Sequence, residues 1–253
     1  MPRLSKNDLK YFVSLSIKKF RQKEKLFLIE GKRLIDEVMK SDFSIKKFII
    51  SDDYPETQGS FFTEIEKFGV EILFCSKNDF SRLSDTKSPQ GVAAIVEIPD
   101  TIPVEKFSNK KIVALSDISD PGNLGTILRT CVWFGYDEIL LDNLCVDLYN
   151  PKVVRSSMGA VFHAKISRDL NFENVLPVFS HNDYKLYTAD LNGRDYRSFE
   201  KENKFIILFA NEANGPDDRI LSLSDEIITI PKEGKVESLN VASAAAVILS
   251  RMV

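Results

Sequence analysis

Cysteine and histidine are scarce in this 253-residue chain, which contains three cysteines and two histidines. The cysteines form no CxxC pair, and His163 and His181 lie too far apart for an HxxxH motif. Because zinc and related ions need closely spaced ligands of these types, we expect no metal site. A small, odd number of cysteines fits a reducing compartment and argues against a disulfide framework, so the expected location is the cytoplasm.

Long hydrophobic runs and an excess of positive charge are also missing. Every apolar run is far shorter than the roughly 18 residues of a membrane span, and the first residues lead into a charged helix, so we expect neither a membrane partner nor a signal peptide. The 34 Lys and Arg residues stand against 37 Asp and Glu, for a net charge of −3. A nucleic-acid contact would therefore have to come from a local basic patch.

The glycine-rich motifs of the common nucleotide-binding folds are absent. None of the 11 glycines forms a G-x-G pair, which excludes the dinucleotide fingerprint and the usual methyltransferase glycine loop. No GxxxxGK[ST] phosphate loop and no GxSxG nucleophile elbow is present either. An α/β domain in this chain must hold its ligand with other loops.

Two series of alternating strands and helices are separated by a segment with prolines at positions 99 and 103, which disfavour helix and sheet. Unbroken apolar strands in the second series favour a parallel sheet covered on both faces. We therefore predict an α/β fold with a smaller domain over residues 1–100, a linker over 101–108 and a larger domain over 109–253. The predicted strands are 26–30, 45–51, 70–74, 92–98, 112–115, 138–141, 185–189, 205–209 and 227–230. The predicted helices are 32–40, 124–134 and 239–253, and the last is apolar nearly all round, so we expect it to be buried.

The basic charge is concentrated near the N-terminus. Residues 1–33 carry ten basic and three acidic side chains, whereas residues 109–253 carry 16 and 20. A cluster over 18–25 places Phe20 among the cations Lys18, Lys19, Arg21, Lys23 and Lys25. This pattern fits a phosphate-binding surface, and it fits a solvated helix face equally well.

Four segments carry the strongest chemical signal, and three of them follow a predicted strand. Residues 117–129 join a strand to a helix, where Asn123 is placed to cap the helix and Arg129 follows in its second turn. Residues 150–160 combine Lys152 and Arg155 with hydroxyl groups. Residues 209–215 leave Glu212 after a buried strand. Residues 230–246 form a Pro/Gly loop and an alanine-rich helix capped by Ser238 or Asn240. Each segment taken alone has a purely structural explanation.

The order and spacing of these segments together resemble the SpoU/TrmH branch of the SPOUT class of S-adenosylmethionine-dependent RNA ribose methyltransferases. The resemblance covers nearly the whole chain, because residues 27–31 and 88–92 are similar to the RNA-binding domain that precedes the catalytic domain in many members. One departure is Ala210, where the family usually has glycine. Alanine there would be strained if the position required a positive φ.

The resemblance implies a C-terminal trefoil knot, a homodimer formed through the C-terminal domain, and S-adenosylmethionine as cofactor. The implied cofactor-binding residues are Ala210, Asn211, Gly215, Ile230 and Leu239. The implied catalytic residues are Asn123, Arg129, Glu212, Ser238 and Asn240. The RNA contacts expected from charge and resemblance are Lys18, Lys19, Arg21 and Arg155.

The family pattern assigns Arg129 the role of base, but arginine stays protonated at neutral pH. We therefore favour a role in positioning an RNA phosphate and stabilising developing charge. The implied substrate is the 2′-hydroxyl of structured RNA, which distinguishes RNA from DNA, with ribosomal RNA favoured by the N-terminal domain. The alternatives are the same reaction on tRNA, and a non-catalytic RNA-binding or ribosome-assembly protein on the same fold.

Overall fold

The computed structural model describes residues 2–55, 59–198, 202–211 and 213–252. The chain divides into two compact units. Unit 1 comprises residues 1–100 together with 149–162, and unit 2 comprises residues 101–148 together with 163–253. Within the described ranges, no helix combines the length and the apolar character needed to cross a bilayer.

Unit 1 is built on a four-stranded sheet in the order β1-β4-β2-β3. Its strands are β1 (Leu26–Glu30), β2 (Ile45–Ser51), β3 (Glu71–Cys75) and β4 (Val92–Glu97). Strand β4 pairs antiparallel with both of its neighbours, and β2 pairs parallel with β3. The helices are α1 (Lys6–Ser14), α2 (Lys18–Glu24), α3 (Lys32–Met39), α4 (Ser60–Lys67) and α5 (Lys77–Leu83), followed much later in the chain by α7 (Pro151–Ser157).

Serine caps start two helices that cover one face of this sheet. Ser5 Oγ accepts from the Asp8 amide at 3.0 Å, and Ser76 Oγ accepts from the Asp79 amide at 3.1 Å. Each cap satisfies a helical N–H group that has no partner within its own helix. The apolar faces that follow bury Phe12 of α1 and Phe80 of α5 against the sheet. This burial holds α1 and α5 against the sheet of unit 1.

Unit 2 is built on a six-stranded sheet in the order β10-β8-β9-β5-β6-β7, and its recorded pairings are all parallel. The strands are β5 (Lys111–Ser116), β6 (Glu138–Asp142), β7 (Lys165–Leu170), β8 (Lys185–Asp195), β9 (Phe205–Ala210) and β10 (Glu226–Thr229). The helices are α6 (Pro121–Trp133), α8 (Phe172–Ser180), α9 (Asp218–Leu223) and α10 (Val241–Arg251). Every residue of β6 and β9 is buried, as a parallel sheet covered on both faces requires.

The sheet order places β6 and β9 on opposite sides of β5, so the direction of winding reverses there. In open parallel sheets, loops after the strands diverge at such a point and leave a crevice at the carboxyl edge. Helix α10 follows β10 at the edge of the sheet but packs on α6 and β9. The last helix therefore returns to the centre of unit 2.

The predicted α/β fold is confirmed, and the differences in detail have physical reasons. Helix α6 starts three residues earlier than expected, because Asp120 caps it by accepting from the Asn123 amide at 2.8 Å. The expectation that Asn123 caps this helix is wrong. Helix α10 is capped by Asn240 and exposes Ser243, Val247 and Ser250, so it is apolar on one face only.

The domain boundary also differs from the expected one. The division falls after Asp100, but the segment Tyr149–Phe162 belongs to unit 1. The expected linker 101–108 is part of unit 2, where Phe107 is buried and Ile102 and Val104 pack against the same core. Two prolines therefore mark the boundary but do not create a separate linker.

Candidate active site

A cleft of ≈ 500 Å³ lies in unit 2 at the carboxyl edge of β8, β9 and β10. The end of β9 and the loop after it form one wall, and the loop between β10 and α10 forms another. Residues 189–192 of β8 form a third. The cleft is large enough for a nucleoside-sized ligand, since small-molecule sites span about 300–1,000 Å³.

All five residues expected to bind the cofactor line this cleft, although they come from two separated segments of the sequence. They are Ala210, Asn211, Gly215, Ile230 and Leu239. Ser238, which was expected to be catalytic, lines it as well. The fold therefore brings two of the four sequence segments to one cavity.

Ala210 carries no backbone strain. It is the last residue of β9 and pairs with Ser116 of β5 in extended conformation, and it is not among the residues with positive φ. Ala210 as a whole is 9% exposed and lines the cleft. The departure from the family glycine is therefore compatible with the local backbone.

The loop after β9 is tied to the end of β5. Asn211 Nδ2 donates to the Asp117 carbonyl oxygen at 3.1 Å, and Asn214 Nδ2 donates to Asp117 Oδ2 at 3.1 Å. The turn closes as the Gly215 amide donates to the Asn211 carbonyl at 2.8 Å, with Gly215 at φ +68°. Glu212, which was expected to be catalytic, lies outside the described residues. The bonds on either side of it fix this wall of the cleft.

A buried carboxylate that the sequence analysis missed organises the same edge. Asp142, 6% exposed at the end of β6, accepts from Ser116 Oγ at 2.7 Å and from the Asp117 amide at 3.1 Å. It also accepts from the amides of Leu144 and Cys145. Asp117 itself has φ +52°, a conformation that non-glycine residues adopt rarely. Asp142 thus holds a strained residue that in turn holds the loop after β9.

A side-chain pair joins the first and last segments of unit 2. Asn240 Nδ2 donates to Asn123 Oδ1 at 2.9 Å, while Asn240 Oδ1 accepts from the Ala242 amide at 3.0 Å. One asparagine therefore caps α10 and holds α6 with opposite ends of its amide group. The expected catalytic residues Asn123 and Asn240 meet here, although neither lines the cleft itself.

Arg129 is exposed on α6, two turns after the helix begins. It makes no hydrogen bond or ion pair with the residues that the structure describes, so its guanidinium is available to a ligand. Trp133, one turn further on the same face, is 81% exposed. This face of α6 thus presents a cation and a large aromatic ring to its surroundings.

The rim of the cleft exposes apolar side chains to an unusual degree. Leu191 is 64% exposed, Val236 67% and Leu239 47%. Large apolar side chains around a concavity indicate a surface that an apolar or aromatic ligand covers. An adenosine group, with its flat ring and polar edges, fits a cleft with this rim and with amide groups at Asn211 and Asn214. The residues present therefore fit S-adenosylmethionine.

The expected RNA contacts lie in unit 1, and one of them is wrong. Lys18 and Lys19 are exposed on α2, as an RNA contact requires. Arg21 is 2% exposed, and its Nη1 donates to the carbonyl oxygens of Leu15 and Ser16 at 2.8 Å each. Its charge satisfies the two carbonyls that directly follow the C-terminal end of α1, so Arg21 is a structural residue.

The remaining candidate cations are already paired. Arg155 on α7 forms an ion pair with Asp85, and both side chains are partly exposed. Lys25 Nζ lies 2.7 Å from Asp100 Oδ1, and Lys23 Nζ lies 3.3 Å from Glu24 Oε1. Exposed pairs of this kind are weak, so a phosphate can replace the carboxylate at little cost.

The surroundings of the three cysteine thiols do not favour the reactive thiolate form. Burial raises the pKa of the Cys75 thiol to about 12, and burial likewise raises the pKa values of Cys131 and Cys145. A thiol becomes a nucleophile only as its thiolate, so these three remain inert at neutral pH. Within the described ranges, no group of three His, Cys, Asp or Glu side chains is placed to hold a metal ion.

Comparison with known proteins identifies the class. Residues 110–250 match the SpoU rRNA methylase family model, and residues 6–94 match the model of the MRM3-like substrate-binding domain. The first match alone covers more than half of the chain. The chain therefore belongs to the SpoU rRNA methylase family, with a substrate-binding domain before the catalytic one.

Individual relatives agree with this assignment. The chain is 33% identical over 243 residues to the Bacillus subtilis 23S rRNA (guanosine(2553)-2′-O)-methyltransferase RlmP, covering 95% of this chain and 94% of the relative. It is 34% identical to human mitochondrial rRNA methyltransferase 3, over 73% of this chain and 44% of that protein. The S-adenosylmethionine-bound rRNA methyltransferase from Sinorhizobium meliloti superimposes with a TM-score of 0.87 at 27% identity, covering 100% and 96% of the two chains.

Proposed function

We propose that this protein transfers a methyl group from S-adenosylmethionine to a ribose 2′-hydroxyl of ribosomal RNA. The observation that carries the proposal is the convergence of Ala210, Asn211, Gly215, Ile230 and Leu239 on one cleft. One relative named as a 23S rRNA 2′-O-methyltransferase and another named as an rRNA methyltransferase support ribosomal RNA over tRNA as the substrate.

The cleft holds the cofactor with backbone groups of the loops after β9 and β10, and with the apolar side chains of Leu191, Val236 and Leu239. When bound, S-adenosylmethionine would supply a sulfonium-activated methyl group for the ribose 2′-oxygen. The chain has to position the hydroxyl, exclude water and stabilise charge on the oxygen.

Arg129 is the residue to which we assign the RNA phosphate and the developing negative charge. Its exposed guanidinium offers the forked donors that suit a phosphate, and no described side chain competes for them. Asn123 and Asn240 hold the starts of α6 and α10 together through their 2.9 Å hydrogen bond. This bond fixes the position of α6, which carries Arg129, relative to the loop between β10 and α10. Glu212 and Ser238 complete the proposed catalytic set.

Unit 1 is proposed to recruit RNA, with Lys18, Lys19 and Arg155 as phosphate contacts. Its match to a substrate-binding domain supports this role, and the exposed lysines of α2 provide the charge. Because each phosphate contact releases counterions, recruitment by these residues should depend strongly on salt.

We further propose a cytoplasmic homodimer formed through unit 2, with the trefoil knot typical of the family. Exposed apolar groups on the packed helices α6 and α10 support a subunit interface, namely Trp133 at 81% and Val247 at 36% exposure. The return of α10 from the sheet edge to β9 is compatible with threading.

The decisive experiment compares ribose methylation in total RNA from cells with and without the gene, and repeats it with the purified protein. We expect one 2′-O-methyl position in ribosomal RNA to disappear in the deletion strain and to be restored by protein plus S-adenosylmethionine. Loss of a tRNA methylation instead would establish the alternative substrate. An unchanged methylation pattern would support a non-catalytic RNA-binding or ribosome-assembly role.

A further inference from the structure

Strand β8 departs from regular pairing where it borders the cleft. Tyr187 and Thr188 pair with Glu226 and Ile227 of β10, but the next pair joins Arg194 to Ile228. Five residues, Ala189–Gly193, therefore lie opposite no residue of β10 and form an excursion from the ladder. Bulges of this kind often redirect a side chain next to a functional site.

The excursion is anchored at its far end by a close backbone contact. A Cβ atom on Gly193 would lie 2.5 Å from the Ile228 carbonyl carbon and 2.7 Å from the Ile227 carbonyl oxygen. No side chain fits there, so glycine lets the strand rejoin β10. The Leu191 carbonyl also accepts from Thr229 Oγ1 at 3.3 Å. These contacts fix the residues that face the cleft.

Asp190 is the ionisable residue of this excursion, and it lines the cleft. Its Oδ1 accepts from the Asn192 amide at 2.9 Å, which orients the carboxylate. Its Oδ2 lies 3.7 Å from the position that a Cβ on Gly215 would take, on the wall that carries the expected cofactor contacts. One carboxylate oxygen is therefore held in place while the other faces the opposite wall.

The described lining of the cleft is acidic overall, with Asp190, Glu233 and Glu237 against the single cation Lys232. The proposed cofactor and its product differ by one charge, because the sulfonium becomes a neutral thioether when the methyl group leaves. All other groups of the two molecules are the same. A fixed carboxylate in this cleft therefore favours the charged cofactor over the neutral product.

We propose that Asp190 is a specificity-determining residue whose carboxylate attracts the positively charged sulfonium of the cofactor. It thereby favours binding of S-adenosylmethionine over S-adenosylhomocysteine and assists product release. The inference rests on the proposed function. For two charges with a separation of about 7 Å and an effective dielectric constant between about 20 and 80, Coulomb's law changes affinity by a factor between about 3 and about 50. The effect is thus large enough to measure.

The test is calorimetric titration of the purified full chain with three ligands: S-adenosylmethionine, S-adenosylhomocysteine and sinefungin, which carries an amine in place of the S-methyl group. In Asp190→Asn we expect affinity for both cationic ligands to fall about fivefold or more, with that for S-adenosylhomocysteine within about twofold of the original. Asp190→Glu should retain most of the preference. Glu105→Gln removes a charge from unit 2 outside the cleft and should leave all three affinities unchanged.

Two results would overturn the inference. Equal weakening of all three ligands in Asp190→Asn would make Asp190 an acceptor for a group that they share, such as a ribose hydroxyl. Unchanged affinities would place the carboxylate away from the sulfur. Because the asparagine amide oxygen can still accept from the Asn192 amide, the local turn should survive, which circular dichroism can check. If the unaltered protein binds none of the three ligands, the proposed function itself fails.

Discussion

Asn240 stabilises unit 2 with both ends of its amide group, so its two roles can be separated by substitution. Asn240→Ala removes the cap of α10, which costs about 0.5–2 kcal/mol of stability, and the bond to Asn123, which is worth about 0.5–1.5 kcal/mol. The bond to Asn123 is at the surface, and the capping bond to the Ala242 amide is only partly buried. We therefore take the lower half of each range and expect a total loss of about 1–2 kcal/mol.

Asn240→Asp keeps the capping oxygen and loses only the donor to Asn123. A negative charge at a helix N-terminus is favourable by about 0.3–1 kcal/mol, which offsets part of the lost bond. We expect the free energy of unfolding of this variant to lie within about 0.5 kcal/mol of that of the unaltered protein. We expect both Asn240→Asp and Asn240→Ala to lose methyl transfer, because each removes the donor that holds Asn123.

Thermal unfolding and a tritium-transfer assay measure the two effects, and a double-mutant cycle with Asn123→Ala isolates the coupling between the asparagines. For a chain of this size, about 1–2 kcal/mol corresponds to a fall in Tm of roughly 2–8 °C. If Asn240→Asp is as unstable as Asn240→Ala, the capping argument is wrong. If the cycle shows no coupling, the Asn123 contact contributes nothing.

Four further predictions concern the remaining assignments. Arg129→Ala should abolish methyl transfer and leave cofactor affinity within a few fold, because Arg129 does not line the cleft; normal turnover in a tritium assay would remove its proposed role. Arg21→Met should lower the unfolding free energy by about 2–3 kcal/mol, since one buried and one partly buried carbonyl contact to a charged donor are lost, but leave the salt dependence of RNA binding unchanged. Lys18→Gln with Lys19→Gln should reduce the log–log salt slope of RNA binding by about 0.7–0.9 per contact, whereas Lys67→Gln should not; equal slopes would leave the α2 lysines as a solvated face. Light scattering should give twice the 28.7 kDa chain mass across a tenfold dilution, and a monomer mass with full activity would refute the dimer.

The strands of the fold could be read from the sequence because most are apolar runs with clear limits. Strand β7 could not, since Lys165, Arg168 and Asp169 interrupt the apolar pattern of a strand at the edge of the sheet. The start of α6 was misplaced because Asp120 and Asn123 are both good capping residues, and only the three-dimensional structure shows which side chain accepts.

The candidate site was predictable where motif residues supply backbone and side-chain groups to one cleft, as at Ala210 and Ile230. It was not predictable where the role depends on neighbours distant in sequence. Arg21 resembles its exposed neighbours in composition, yet its side chain turns inward onto α1. Asp142 ends an ordinary apolar strand, and only the pairing of β5 with β6 shows that its carboxylate meets Asp117.

The membership of residues 149–162 in unit 1 limits how this protein can be divided for engineering. Phe27 of β1 lies with its ring centroid 4.7 Å from that of Tyr149 and 6.5 Å from that of Phe162, and Val153 is buried in the same unit. A fragment that starts near Pro103 would keep these side chains but lose the surface that covers them, and would be prone to aggregate. Exchange of the substrate domain with that of a relative would therefore succeed only if residues 149–162 were exchanged together with residues 1–100. The two segments form one structural unit, although 48 residues of unit 2 separate them in the sequence.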